Sequence, residues 1–139
     1  MPQCDISCVI SPEHFREFAV PALRCEMALL DAVVYHLDGP GALIHLPAIL
    51  ELAEIDAVQW VAGAGEPGER DWTDLYREIA ATGKGLTVNA INGGGAKVRA
   101  LSRALGTSRI FFRTAVASRA EGEALLADLE AGERMKAEG

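Results

Sequence analysis

Residues 32 to 41 read Ala-Val-Val-Tyr-His-Leu-Asp-Gly-Pro-Gly, and the reading of the fold turns on them. A short apolar run, Ala32 to Tyr35, stops at His36, Leu37 and Asp38, and Gly39-Pro40-Gly41 turns the chain into the next apolar segment. Val33 and Val34 are β-branched and uninterrupted by charge, the pattern of a strand buried on both faces of a parallel sheet. Residues two apart on a strand point the same way, so His36 and Asp38 share a face. They fall toward the strand's C-terminal end, where parallel α/β folds carry their chemistry. A plainer reading is also open: a polar pair that closes a strand, followed by a turn.

Working outward, the same alternation repeats. Ser11-Pro12-Glu13 opens a helix, with Ser as N-cap, Pro at the first helical position and an acid in the first turn. That helix runs to about Leu30, with Phe15, Phe18 and Ala22 as one apolar stripe and Leu23, Met27 and Leu30 as another. Pro21 between the stripes is expected to bend it. Beyond the His-x-Asp strand, Ala42 to Leu52 is helical in composition but interrupted by Pro47. Residues 57 to 62 (Ala-Val-Gln-Trp-Val-Ala) form the next strand, closed by Gly63-Ala64-Gly65, and Glu66 to Arg70 reads as a loop. Asp71 caps a helix whose apolar face is Trp72, Leu75, Tyr76 and Ile79, at i, i+3, i+4 and i+7. Gly83 ends it as a C′ glycine.

Leu86 to Ile91 is a third strand, followed by Asn92 and three glycines. Val98, Leu101 and Leu105 mark the helix after it, closed by Gly106. Ile110 to Val116 is the last strand, and the acidic tail from Ser118 is a helix with Leu125, Leu126 and Leu129 facing inward. Residues 1 to 10 read as a stub of strand or a loop, residues 11–31 as a helix, and 32–139 as four βα units. Such alternation means a parallel sheet with helical crossovers. It fits an open doubly wound sheet or a piece of a (β/α)8 barrel, a fold that needs ~250 residues when whole.

At 139 residues the chain is a single domain, with half its residues apolar and 24% charged. A net charge of −7 with dispersed basic residues argues against a nucleic-acid surface. No apolar run approaches the ~20 residues of a membrane span, and the N-terminus has no signal-peptide pattern. A cytoplasmic protein is expected, with Cys4, Cys8 and Cys25 as reduced thiols. The Cys4-x3-Cys8 spacing has no second pair to complete a zinc site. Gly93-Gly94-Gly95 has neither a dinucleotide nor a P-loop signature and reads as a βα turn. Gln59 and Trp60 near a strand end are candidates to line a pocket, although a tryptophan there is more often a core residue. Arg113, an arginine within a strand, suggests pairing with an acid or with a substrate carboxylate. His14 and His45 fall on helices, as surface or structural side chains.

Two segments carry a family resemblance: Tyr35-His36-Leu37-Asp38-Gly39-Pro40-Gly41-Ala42, and Asp56-Ala57-Val58-Gln59-Trp60-Val61 with Gly63-Ala64-Gly65. Ile10 to Phe15 and Gly83-Lys84-Gly85 support it. Over about Asp5 to Leu126 the chain resembles the C-terminal half of uroporphyrinogen-decarboxylase-like proteins, within the branch grouped with corrinoid-dependent methyltransferases and trimethylamine-corrinoid-type proteins. The resemblance implies the C-terminal half of a (β/α)8 TIM barrel, about four strands, with a site at the strand C-terminal ends.

It further implies methyl transfer involving a corrinoid or a methylated substrate or, alternatively, decarboxylation of a carboxylated tetrapyrrole. A non-catalytic half-barrel that binds a ligand or partner is the third reading. In related zinc methyltransferases the strand-end motif is His-x-Cys, with a further cysteine near the last strand. Here His36 matches the histidine, Asp38 stands in the cysteine's place, and residues 114–118 hold no cysteine. His36 and Asp38 are thus candidate zinc ligands or an acid–base pair, and Asp5, in the loop before the first helix, is a candidate substrate contact. Because half a barrel exposes two sheet edges and an inner face, a homodimer or a partner chain that completes the barrel is expected, or else an opened and flattened sheet.

Overall fold

The computed structural model describes residues 1–63, 71–91, 93–107 and 109–137, with 132–137 described by their helical backbone alone. Four strands, β1 (Val34–Asp38), β2 (Ala57–Val61), β3 (Gly85–Asn89) and β4 (Ile110–Arg113), form one parallel sheet in the order β1-β2-β3-β4. Helices intervene between them: α3 (Leu46–Leu50), α4 (Thr73–Ala81) and α5 (Gly94–Leu105), with α6 (Arg119–Ala137) after the last strand. The strand order follows the chain without the reversal that marks a doubly wound sheet.

The register explains which residues are buried. Tyr35 pairs with Val58, Val58 with Leu86, Leu37 with Trp60, and Val88 with Phe112. This alternate set faces Phe15, Leu23, Met27, Leu46, Ile49, Tyr76 and Ile79 from the helices in one continuous core. Among the described residues no helix lies over the opposite face. Val34, His36, Ala57, Gln59 and Thr87 are half-buried there, while Asp38, Val61, Asn89, Phe111 and Arg113 are exposed. The expectation of a strand buried on both sides is therefore corrected: Val33 and Tyr35 are buried, and the residues alternating with them are not.

The first helix is built in three parts, α1 (Pro12–His14), a π-helical turn (Phe15–Ala19) and α2 (Val20–Met27). Ser11 caps it, its Oγ accepting from the His14 N–H at 3.3 Å. The wider π turn immediately precedes Pro21, whose ring cannot fit against an ordinary preceding turn and which has no N–H to donate. The extra residue in that turn rotates the apolar stripe. Phe15, Leu23 and Met27 are buried, whereas Phe18 is 65% exposed and Ala22 and Leu30 also face outward. Two predicted stripes thus reduce to one.

Elsewhere the boundaries shift by small amounts. The segment after β1 starts as a 3-10 helix (Pro40–His45) before α3, with Pro47 in the first turn of α3, where its missing N–H costs nothing. Asp71 accepts from the Thr73 N–H and hydroxyl at the start of α4, and Trp72, Leu75, Tyr76 and Ile79 turn inward as the spacing predicts. The Trp72 ring meets Trp60 edge-on, 4.8 Å between centroids. Gly83 and Gly106 follow their helices with φ of 80° and 63°. In α6 Leu125 is buried and Leu129 half-buried, but Leu126 faces solvent, one step round the helix from both. β3 and β4 end at Asn89 and Arg113, earlier than the apolar runs suggest. The expected glycine closure at residues 64–65, the loop at 66–70 and Asn92 lie outside the described residues. Among the described residues no helix is long and apolar enough to cross a membrane.

The N-terminal residues behave as a stub strand. Gln3 forms a parallel bridge with His36, and the His36 N–H donates to Pro2 O at 2.9 Å, so residues 2–3 cover the outer edge of β1. A short 3-10 turn (Ser7–Val9) then packs so closely on the turn after β1 that a Cβ at Gly41 would lie 3.0 Å from Cys8 Cβ. His45 binds this corner together: its Nε2 donates to Ser7 O at 2.7 Å and its ring stacks on Phe15 at 4.3 Å. His45 is buried and structural, and His14 is exposed. At the other end of the sheet Lys84 Nζ donates to Leu52 O and Ile55 O, both at 2.8 Å, fastening the chain beyond α3 to the start of β3; its pKa is lowered chiefly by burial. The three cysteines are free thiols.

Candidate functional site

The open face of the sheet gathers most of the polar side chains singled out from the sequence. His36, Gln59, Thr87 and Phe111 are register partners in one row straight across β1 to β4. One step further along the strands, in the same alternation, stand Asp38, paired with Val61, and Arg113, paired with Asn89. With strands about 4.8 Å apart, the β1 and β4 ends of a row are separated by roughly 14 Å along the sheet. The face offers an imidazole and a carboxylate at one edge, an aromatic ring and a guanidinium at the other, and amides and a hydroxyl between.

His36 is the most constrained of these groups. Its backbone is held on one side by Pro2 and on the other by β2, and its Nδ1 lies 2.6 Å from Gln59 Oε1. Asp38 closes β1 and is exposed. The loops after β1 and β2 meet just beyond it. The Gly39 N–H donates to Val61 O at 2.8 Å, Gly39 and Gly63 both have φ of 79°, and a Cβ at Gly63 would lie 3.8 Å from Asp38 Oδ1. Glycine there leaves the carboxylate accessible from the open face.

For Arg113 the sequence suggests a buried position in the strand, paired with an acid or reaching a substrate carboxylate. It is exposed at the end of β4, where among the described residues it has no ion pair and no helix covers that face. Its guanidinium is free to engage a carboxylate bidentately. Trp60 goes the other way. One residue on from Gln59, it points into the helix-covered core against Trp72, away from His36. Asp5 is exposed on the N-terminal segment beside the outer edge of β1, accepting from Gln3 Nε2 at 2.9 Å. It is not placed in either row of the sheet.

Behind the site the groups are held neutral. Tyr35 and Tyr76, on the covered side, have phenol pKa values raised mainly by burial, Tyr76 to about 12. The Cys4 thiol, beside the N-terminal bridge, is likewise raised mainly by burial.

Thr87, Asn89 and Phe111 were not singled out from the sequence, yet they share the face. A signal existed: β1, β3 and β4 end in polar or aromatic residues at i and i+2 (His36/Asp38, Thr87/Asn89, Phe111/Arg113), with Gln59 as the matching residue of β2. Phe111 is 68% exposed, an uncommon position for a ring of that size on a sheet.

The fold defines a class: a parallel α/β protein with a four-stranded sheet, one helix-covered face and, among the described residues, one open face with polar side chains toward the strand ends. Comparison of the chain with models of known protein families, with curated proteins and with solved structures returns no match.

Proposed function

We propose that this chain is one half of a (β/α)8-type barrel of the uroporphyrinogen-decarboxylase-like kind, and that the open sheet face is the lumen wall of that barrel. The observation that carries the reading is the placement of His36, Asp38, Gln59 and Arg113 on the same sheet face, which among the described residues no helix covers. Leaving half-buried Val34 and Ala57 and exposed Val61 and Phe111 unpacked is unfavourable. A second half, supplied by another copy or by a partner chain, would cover them and close a site over the polar rows.

Within that site the best-supported chemistry is recognition of a large, flat, carboxylated or amide-bearing ring such as a tetrapyrrole or corrinoid, leading to methyl transfer when the barrel is complete. Arg113 would grip a carboxylate, Phe111 would offer a ring face, and His36 with Asp38 would hold or move a proton. A zinc ion, if bound, would polarise a thiol or oxygen of the substrate. His36 and Asp38 are of the right donor type for it, but among the described residues no third His, Cys, Asp or Glu joins them. The remaining ligands would have to come from water, substrate or the second half. A decarboxylase-type site, which needs no metal, is the second reading. It is favoured by Arg113, whose guanidinium is suited to a substrate carboxylate.

The test is a titration of the purified chain with hydroxocobalamin and, separately, with a carboxylated porphyrin, followed by the ligand's absorption. Saturable binding of one of them, weakened at least tenfold by His36→Ala or Arg113→Ala, is expected. Absence of binding of both to the parent chain would overturn the reading. Preference for the porphyrin would select the decarboxylase-type site.

A further inference from the structure

We infer that Gln59 is a positioning residue for His36, fixing its imidazole in the Nδ1–H form so that Nε2 meets the open face as a lone-pair donor. The inference deepens the reading of this face as the site and rests on it. Gln59 and His36 are register partners on adjacent parallel strands, so their side chains leave the sheet side by side. Their contact, 2.6 Å from His36 Nδ1 to Gln59 Oε1, is short. An amide oxygen has no proton to give, so the proton in that bond belongs to Nδ1. In a neutral imidazole the other nitrogen then carries the lone pair. Nε2 has no hydrogen-bond partner among the described residues, and Asp38 stands two residues on, on the same face.

The backbone makes this arrangement hard to escape. The His36 N–H is bonded to Pro2 O on the outer edge, and β2 fixes the inner edge, so the strand cannot slide to release the ring. A ligand hydrogen-bonded through its second nitrogen to a neighbouring acceptor is the usual way a histidine's tautomer and ring plane are set. The functional consequence is specific. With Nδ1 engaged, neutral His36 can accept a proton or bind a metal through Nε2, but cannot donate a proton from it. Gln59, expected from the sequence to touch substrate, acts through His36 instead.

Nitrogen-15 NMR of the imidazole rings tests this on the chain alone, without ligand or metal, at a pH where the ring is neutral. There are three histidines, and the His36 signals are assigned by their loss in His36→Asn. In the parent, Nδ1 should show the shift of a protonated nitrogen and Nε2 that of an unprotonated one. Gln59→Ala should move the pattern toward the Nε2–H form that a free imidazole side chain prefers, and Gln59→Glu, which keeps an acceptor, should restore the parent pattern. A parent in the Nε2–H form, or a Gln59→Ala variant with an unchanged pattern, would overturn the inference. Gln59 lies outside the packed core, so these variants should fold. Because the readout needs no corrinoid or porphyrin, its failure is distinct from failure of the binding titration.

Discussion

The two faces of this sheet are made from the same four strands, residue by residue in alternation, and they have opposite characters. Tyr35, Leu37, Val58, Trp60, Leu86 and Val88 are packed under helices. The alternating residues of the other face include His36, Asp38, Gln59, Thr87 and Asn89, with Val34, Ala57 and Val61 beside them, and along β4 come Phe111 and Arg113. Burial favours an apolar side chain by roughly 1.5–3 kcal/mol, so the covered face is where the fold's stability lies. The open face contributes little to it and is free to carry reactive groups. The contrast separates the residues that hold the fold together from those proposed to form the site, at a resolution of one residue.

The largest effect is expected on the covered side. Leu37 is almost fully buried between His36 and Asp38 on β1, and Leu37→Ala should destabilise the fold by about 2–5 kcal/mol, read from the midpoint of urea unfolding. A smaller loss is expected where the N-terminal turn meets the turn after β1. Gly41→Val would drive side-chain atoms into Cys8 and should cost about 1–3 kcal/mol by the same measurement. On the open face Thr87→Ala should change stability by no more than about 0.5 kcal/mol. A loss as large as that of Leu37→Ala would show that the two faces contribute alike to the fold and break the comparison.

The smallest effect should come from the solvent-facing pair of Arg16 and Glu51, 2.6 Å apart. The hydrogen bond from the Arg16 guanidinium holds the Glu51 carboxyl below its usual range. A carboxyl whose pKa is lowered on folding adds stability that is present above its unfolded pKa and is lost as pH falls through the folded one. Glu51→Gln should therefore lower stability slightly at neutral pH and leave it unchanged at acid pH, flattening that part of the pH dependence, seen in melting curves taken across the carboxylate range. Exposed pairs of this kind contribute little.

Much of this was legible in the sequence, and the parts that were not have physical causes. The four strands, their parallel order and the helix between each pair follow from turn glycines and hydrophobic period. So does the shared face of His36 and Asp38, which needs only the two-residue repeat of a strand. Which face a helix would cover is a property of the whole winding, and the adjacent pair Val33-Val34 hid it by looking buried throughout. Gln59 and Trp60 are neighbours in sequence and opposites in space. Assigning Gln59 to His36 required the β1–β2 register, which no single strand contains. Pro21 announced a disturbance, but not that one widened turn would carry Phe18 out to solvent. Arg113 seemed buried because it follows an apolar run, and the run is the edge of the sheet.

The most direct test of the central claim, that the open face is an inner wall which a second half covers, is the solution mass of the purified chain by light scattering on a sizing column, with Phe111→Glu alongside. The account predicts a parent near twice the mass of one chain and a variant near one. A parent that remains a single chain across the accessible concentration range, indistinguishable from Phe111→Glu, would contradict it.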